Sequence, residues 1–138
     1  MQATLLDTSV IVGLLDRSES LHGRCIAALE GLESPLVSCE AVIAESCYLL
    51  RELPGAVTAV LQNLEQGIFQ IPFQLPHSAH LVRKLMQRYR DVHMDFSDAC
   101  LVQLAEELNT GDILTLDRDF AAYRWSRTRP FHFLVELD

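Results

Sequence analysis

The sequence contains a single lysine, Lys84, and its 11 lysine and arginine residues face 19 acidic ones, giving a formal net charge of −8. Such an acidic excess argues against a protein that coats nucleic acid non-specifically, because that binding depends on neutralising phosphates. It leaves room for an enzyme whose own acidic site is neutralised by bound cations. No apolar run approaches the roughly 20 residues needed to span a bilayer. The N-terminal stretch Met1-Gln2-Ala3-Thr4 lacks a basic region and a signal-like core, and runs directly into Leu5-Leu6-Asp7. A cytoplasmic location is therefore expected. The four cysteines, Cys25, Cys39, Cys47 and Cys100, form no C-x-x-C pair and have no histidine at zinc-finger spacing. Buried, reduced thiols are expected rather than a structural zinc site. Repeats, low-complexity stretches and linkers are also missing. With 49% hydrophobic and 22% charged residues, the composition predicts one globular domain over residues 1–138.

What is present is an alternation of short apolar runs with longer helix-like segments, the signature of an α/β fold. The pattern predicts a strand at about Ala3 to Leu6, then a helix from near Ser9 carrying Val10, Ile11, Leu14 and Leu15. A second helix is expected from Ser20 to Leu32, a short strand at Pro35 to Ser38, and an apolar helix from Cys39 to Leu53, stopped by Pro54-Gly55. Ala56 to Glu65 reads as a helix closed by Gly67, and Ile68 to Pro72 as a strand. Helices over His77 to Arg90 and Asp95 to Leu108 follow, the latter ending at Asn109-Thr110-Gly111. Ile113 to Leu116 and Phe131 to Val135 read as the last strands. Strands separated by helices imply parallel neighbours, whose ligands sit at the carboxyl ends of the strands.

Four carboxylates stand at informative places. Asp7 follows the strand Leu5-Leu6 and precedes a helix. It is either the helix N-cap or, if Thr8 or Ser9 caps instead, a free acid at the strand's carboxyl end. Glu45 interrupts the apolar stretch Ala41 to Leu50. It either occupies a solvent stripe beside Arg51 and Glu52 or is a functional acid in a central helix, since glutamate is almost never buried alone. Asp98 lies three residues after Asp95; that geometry can start a helix or hold a cation between two repelling acids, with Ser97 an equally good cap. Asp117 ends the run Ile113-Leu114-Thr115-Leu116 and is either a turn aspartate or a second strand-end acid repeating the position of Asp7. Four converging acids would need compensating positive charge. Hard divalent cations such as Mg²⁺ or Mn²⁺ suit an all-carboxylate shell. Two such metals, roughly 3.5–4 Å apart, can activate water and stabilise the leaving oxygen of a phosphodiester. The basic residues fall in two stretches, Arg83, Lys84, Arg88 and Arg90, then Arg118, Arg124, Arg127 and Arg129. The first reads equally well as a solvated helix face or a phosphate-binding edge.

The stretches Leu6-Asp7-Thr8-Ser9-Val10-Ile11, Ala44-Glu45-Ser46, Asp95-Phe96-Ser97-Asp98-Ala99-Cys100-Leu101 and Leu114-Thr115-Leu116-Asp117-Arg118-Asp119-Phe120 resemble the PIN-domain ribonucleases, most closely the VapC toxins of bacterial toxin–antitoxin pairs. Four motifs in order, spanning Asp7 to Phe120, make the resemblance specific. It implies a three-layer α/β/α PIN-like fold with a central parallel sheet of four or five strands. It also implies a metal-dependent endoribonuclease in which Asp7, Glu45, Asp98 and Asp117 position Mg²⁺ or Mn²⁺. In that chemistry water activated by the metal attacks phosphorus in line, with no protein nucleophile. Thr115 matches a family hydroxyl that orients the site and Ser9 one beside the first acid, while Asp95 and Asp119 are secondary candidates. Family members usually form homodimers and are held inactive by a cognate antitoxin, which lays a helical segment into an apolar groove. An RNA substrate, an antitoxin partner and a homodimer are thus expected.

Two other readings compete. One is a PIN-like protein-interaction module without catalysis, which an intact acidic quartet disfavours because an inactive module has no need for mutually repelling acids. The other is a phosphoryl-transfer enzyme using an aspartate nucleophile; Asp7-Thr8-Ser9 lacks the second aspartate that chemistry usually wants, and Lys84 lies in a polar helix. His93, shortly before Asp95, reads as incidental rather than as a general base.

Overall fold

The computed structural model describes residues 2–137; Met1, which opens the N-terminal stretch read above, and Asp138 lie outside them. Five parallel strands form the central sheet: β1 (Thr4–Leu6), β2 (Leu36–Val37), β3 (Phe69–Gln70), β4 (Asp112–Leu114) and β7 (His132–Phe133), in the order β3-β2-β1-β4-β7. Six helices flank it: α1 (Thr8–Leu15), α2 (His22–Glu30), α3 (Glu40–Leu49), α4 (Ala56–Glu65), α5 (Leu75–Arg88) and α6 (Phe96–Leu108). The central strands are apolar on both faces, Leu5, Leu6, Ile113 and Leu114 being fully buried, as strands covered by helices must be. The chain winds outward from β1 to β3, then returns through α5 and α6 to lay β4 on the other side of β1. The topological switch therefore falls between β1 and β4, the place where α/β sheets open a ligand crevice.

Local chemistry explains several boundaries. Gly13 lets α1 and α2 approach closely: a Cβ there would stand 2.7 Å from Cys25 Sγ. His22 Nδ1 hydrogen-bonds the Gly13 carbonyl at 2.6 Å, tying the same two helices. α3 stops at Leu49, short of the expected Leu53. Buried Leu50 pins the chain, and the Arg51 guanidinium donates to the Tyr48 carbonyl (2.7 Å), satisfying a helix-end acceptor. α6 is the most deeply set helix, with every residue from Ser97 to Ala105 buried. Asn109 in the left-handed region closes it, as its sequence led one to expect.

The final strand is shorter than Phe131 to Val135, because only His132 and Phe133 pair with β4. A short antiparallel pair, β5 (Arg124–Trp125) and β6 (Arg129–Pro130), and a 3₁₀ turn over Arg118–Ala121 were not foreseen. The hairpin lacks the Asn-Gly or Gly-X signal of tight turns; Ser126 and Arg127 adopt positive φ (47° and 69°) instead. One apolar core joins the sheet to its helices, leaving β6 exposed, and no helix among the described residues is long and apolar enough to cross a membrane. Cys25, Cys39 and Cys100 are buried free thiols, while Cys47, expected to be buried, is only half so.

Gly111 sits against the Trp125 indole so closely that a Cβ would overlap the ring. The Gly111→Ala variant is expected to lose about 1–3 kcal/mol of stability from overpacking, read as a lower denaturation midpoint in chemical unfolding.

Candidate active site at the carboxyl ends of β1 and β4

Asp7 leaves β1 at its carboxyl end and serves at once as N-cap of α1 and as the buried acid of the crevice. One carboxylate oxygen accepts the Thr8 N–H at 2.8 Å; the other accepts the Thr115 hydroxyl at 2.6 Å and lies 3.4 Å from Ser9 Oγ. Its two readings from sequence are thus not alternatives: the carboxylate caps the helix without being freed from, or lost to, the site.

Thr115 stands beside Asp7 because Leu6 pairs with Leu114, placing the two following residues side by side; the Asp7 N–H donates to the Leu114 carbonyl (3.0 Å). Asp117 does not close the strand as Asp7 does. β4 ends at Leu114, and the backbone beyond it leaves the ladder for side-chain partners. The Leu116 N–H donates to Ser9 Oγ (2.9 Å) and the Asp117 N–H to Thr115 Oγ1 (3.0 Å). Asp117 then caps the 3₁₀ turn, accepting the Asp119 N–H at 2.9 Å.

At the start of α6, Asp95 rather than Ser97 is the N-cap. It accepts the Asp98 N–H at 2.9 Å and the Ser97 hydroxyl at 3.0 Å. This turns Asp98 inward, where it is buried and accepts the Tyr123 hydroxyl at 3.0 Å. Tyr123 escaped the sequence reading, since a tyrosine in Ala121-Ala122-Tyr123-Arg124 carries no motif. It is fully buried and held by edge-to-face contacts with Phe120 (5.1 Å) and Tyr89 (5.2 Å). Glu45 takes the solvent-facing position that was one of its two readings from sequence. It lies on the exposed side of α3 with Ala44, Tyr48 and Leu49, because α3 buries only Val42 and Ser46 within its span. Its charge nonetheless acts on Asp7. Asp119 and His93 are exposed, and His93 holds a left-handed backbone at the end of a 3₁₀ turn.

Electrostatics ties the acids together. Burial pushes the Asp7 carboxyl up to about 6, opposed by the Thr115 and Thr8 hydrogen bonds and helped by the charges of Asp117 and Glu45. Burial raises Asp98 to about 8, reinforced by Asp95, Asp7 and Asp117, with the Tyr123 hydroxyl pulling the other way. Asp117 is raised as well, first by burial and then by Asp119 and Asp95. Among the described residues no three His, Cys, Asp or Glu side chains stand as a ready-made ligand cage, and no Lys or Arg forms an ion pair with these acids. The donor set is carboxylates with supporting hydroxyls, mutually repelled and uncompensated. Its chemistry fits a hard divalent cation.

Residues 4–126 match the family model of the PIN domain. The chain belongs to the PIN-domain family. It is 30% identical over 123 residues to Ribonuclease VapC26 of Mycobacterium tuberculosis, an alignment covering 87% of this chain and 91% of that protein. Its fold matches the crystal structure of Mycobacterium tuberculosis VapC20, described as a Sarcin-Ricin loop cleaving toxin, with a TM-score of 0.81. That match covers 93% of this chain and all of the other at 17% identity, and so speaks for the fold alone. The expected PIN-like architecture and family are both found.

Because Asp7 and Asp98 titrate higher folded than unfolded, the native protein holds more protons than the unfolded chain between about pH 4 and pH 8. Stability of the metal-free protein is therefore expected to fall as pH rises through that window. Thermal unfolding in EDTA at about pH 5 and pH 8 checks this; Asp98→Asn should flatten the slope, and an unchanged slope would contradict the assignment.

Proposed function

We infer that the chain is a metal-dependent endoribonuclease and the toxin of a toxin–antitoxin pair. The observation that carries this is the gathering of Asp7, Asp98 and Asp117, with the charge of Glu45 acting on Asp7, at the switch between β1 and β4 in a PIN-domain chain. The likeness to a protein named a ribonuclease over nearly the whole length supports the substrate class. Asp7, Glu45, Asp98 and Asp117 are proposed to hold Mg²⁺ or Mn²⁺. A bound divalent cation would supply Lewis-acid stabilisation of the phosphodiester and a more acidic water.

The chain's own residues do the positioning. Thr115 and Ser9 fix the rotamer of Asp7, and Tyr123 that of Asp98. The hydroxyl of Thr115 also accepts the Asp117 N–H, so one side chain sets the spacing of two acids. The raised carboxyls must lose their protons to ligate a cation, so cation affinity rises with pH across the same window in which the metal-free fold weakens.

An antitoxin partner is part of this reading. Leu15, Leu53, Pro54, Ala56 and Ala59, with Asp16, Arg17 and Ser18 along one edge, line an open groove of about 500 Å³ where the end of α1 meets the start of α4. The apolar face of an amphipathic helical segment would suit it. A homodimer and a cytoplasmic location are proposed on the family resemblance.

Cleavage of a mixed pool of structured RNA, with Mg²⁺, Mn²⁺ or EDTA, tests the reading. Wild type should cut only with metal, and Asp98→Asn should abolish cutting. Thr115→Val should slow it by about 10- to 100-fold, as loss of a ligand-orienting partner does. Metal-independent cutting, or full activity in Asp98→Asn, would overturn the assignment.

A further inference from the structure

Phe96 is the first residue of α6, one peptide unit from the cap Asp95, yet its side chain is 44% exposed. It forms one wall of a shallow apolar depression of about 390 Å³, completed by Val82, Arg83, Met86, Gln87 and Arg90. The ring also borders a second hollow, shared with Cys39, Phe73 and Cys100. The basic stretch along α5 and the 3₁₀ turn that follows it (Arg90–Val92) is thus not one face. Arg83 and Arg90 open on the first depression, whereas Lys84 and Arg88 turn to another groove with Arg127. Arg90 donates to the Gln87 carbonyl at 3.0 Å, and among the described residues neither Arg83 nor Arg90 has a carboxylate within ion-pair distance. In a chain of net charge −8, two guanidinium groups left without acids at the rim of an apolar hollow are complementary to an anion that carries a flat apolar group.

We propose that Phe96 is a stacking platform for a nucleobase of single-stranded RNA, with Arg83 and Arg90 holding phosphates on either side of that base. The inference rests on the nuclease reading above and adds to it the element that receives the strand. An aromatic face takes any base by stacking, and the arginines supply charge without base identity, so this surface grips unpaired RNA rather than reading a sequence. The depression adjoins the amino end of α6, the helix that also carries Asp98, though Phe96 and Asp98, two residues apart, turn to different sides of it.

The test measures fluorescence anisotropy of a labelled mixed-sequence RNA decamer and of an abasic decamer with the same backbone. Both are titrated in EDTA with the full chain carrying Asp98→Asn, which prevents cutting. Adding Phe96→Ala or Phe96→Leu should weaken binding of the base-bearing decamer by about 10- to 100-fold and leave the abasic one unchanged. Phe96→Trp should keep or strengthen it. Arg90→Ala should weaken both decamers and lower the salt slope by about one. Phe96→Leu retains an apolar surface, so a loss there is not a folding defect, and thermal unfolding verifies this. Equal affinities for both decamers in the parent and in Phe96→Leu would overturn the proposal while leaving metal-dependent cleavage by wild type intact. Dissociation of a dimer by Phe96→Ala in light scattering, with RNA affinity unchanged, would overturn it in favour of a second copy of the chain. Failure of wild type to bind or cut any RNA would remove the nuclease reading and this inference together.

Discussion

The hydrogen bond from the Thr115 hydroxyl to Asp7 joins the two strands between which the sheet reverses its order, and the site is arranged around it. Asp7 is buried at the end of β1 with one oxygen occupied by the helix start, so its second oxygen needs a further partner. Its own segment offers only Ser9 at 3.4 Å, and the neighbouring strand supplies the short bond at 2.6 Å. Thr115 does so, and its oxygen also receives the Asp117 N–H, while Ser9 receives that of Leu116. Two hydroxyls thereby take over the backbone where β4 leaves the ladder, and the departure of the chain from the sheet is what carries Asp117 to the crevice.

The same arrangement is electrostatically unfavourable without a counter-charge. Every buried side-chain polar atom among the described residues has a hydrogen-bond partner, so the strain is one of charge and not of missing contacts. Three carboxyls are raised above their ordinary range by burial and by one another, and the tyrosine hydroxyl and threonine hydroxyl only partly offset that. Concentrating acids in a crevice while leaving arginines on separate surfaces is how a protein of negative total charge can still favour a cation at one place and a polyanion beside it.

Much of this was legible in the residues. The α/β alternation, the span of α4 and the end of α6 at Asn109 follow from local patterns of apolar periodicity and turn residues, whereas the choice of Asp95 over Ser97 as the cap of α6 did not. Such patterns describe interactions within a few residues. Length was less secure: α3 ends early because a buried leucine and an arginine-to-carbonyl bond stop it before the Pro-Gly signal. The β5–β6 pair escaped notice because strands of two residues carry no period and its turn uses Ser126 and Arg127.

What the sequence determined by itself was the class of fold, the family motifs and the identity of the candidate acids. Tertiary structure alone decided that Thr115, not Asp117, stands opposite Asp7, that Glu45 faces outward, that Tyr123 supports Asp98, and that the arginines of α5 divide between two surfaces. The reason is physical. Strand register and side-chain bonds between residues 25 to 108 positions apart depend on how whole elements pack, and local periodicity contains no term for that distance.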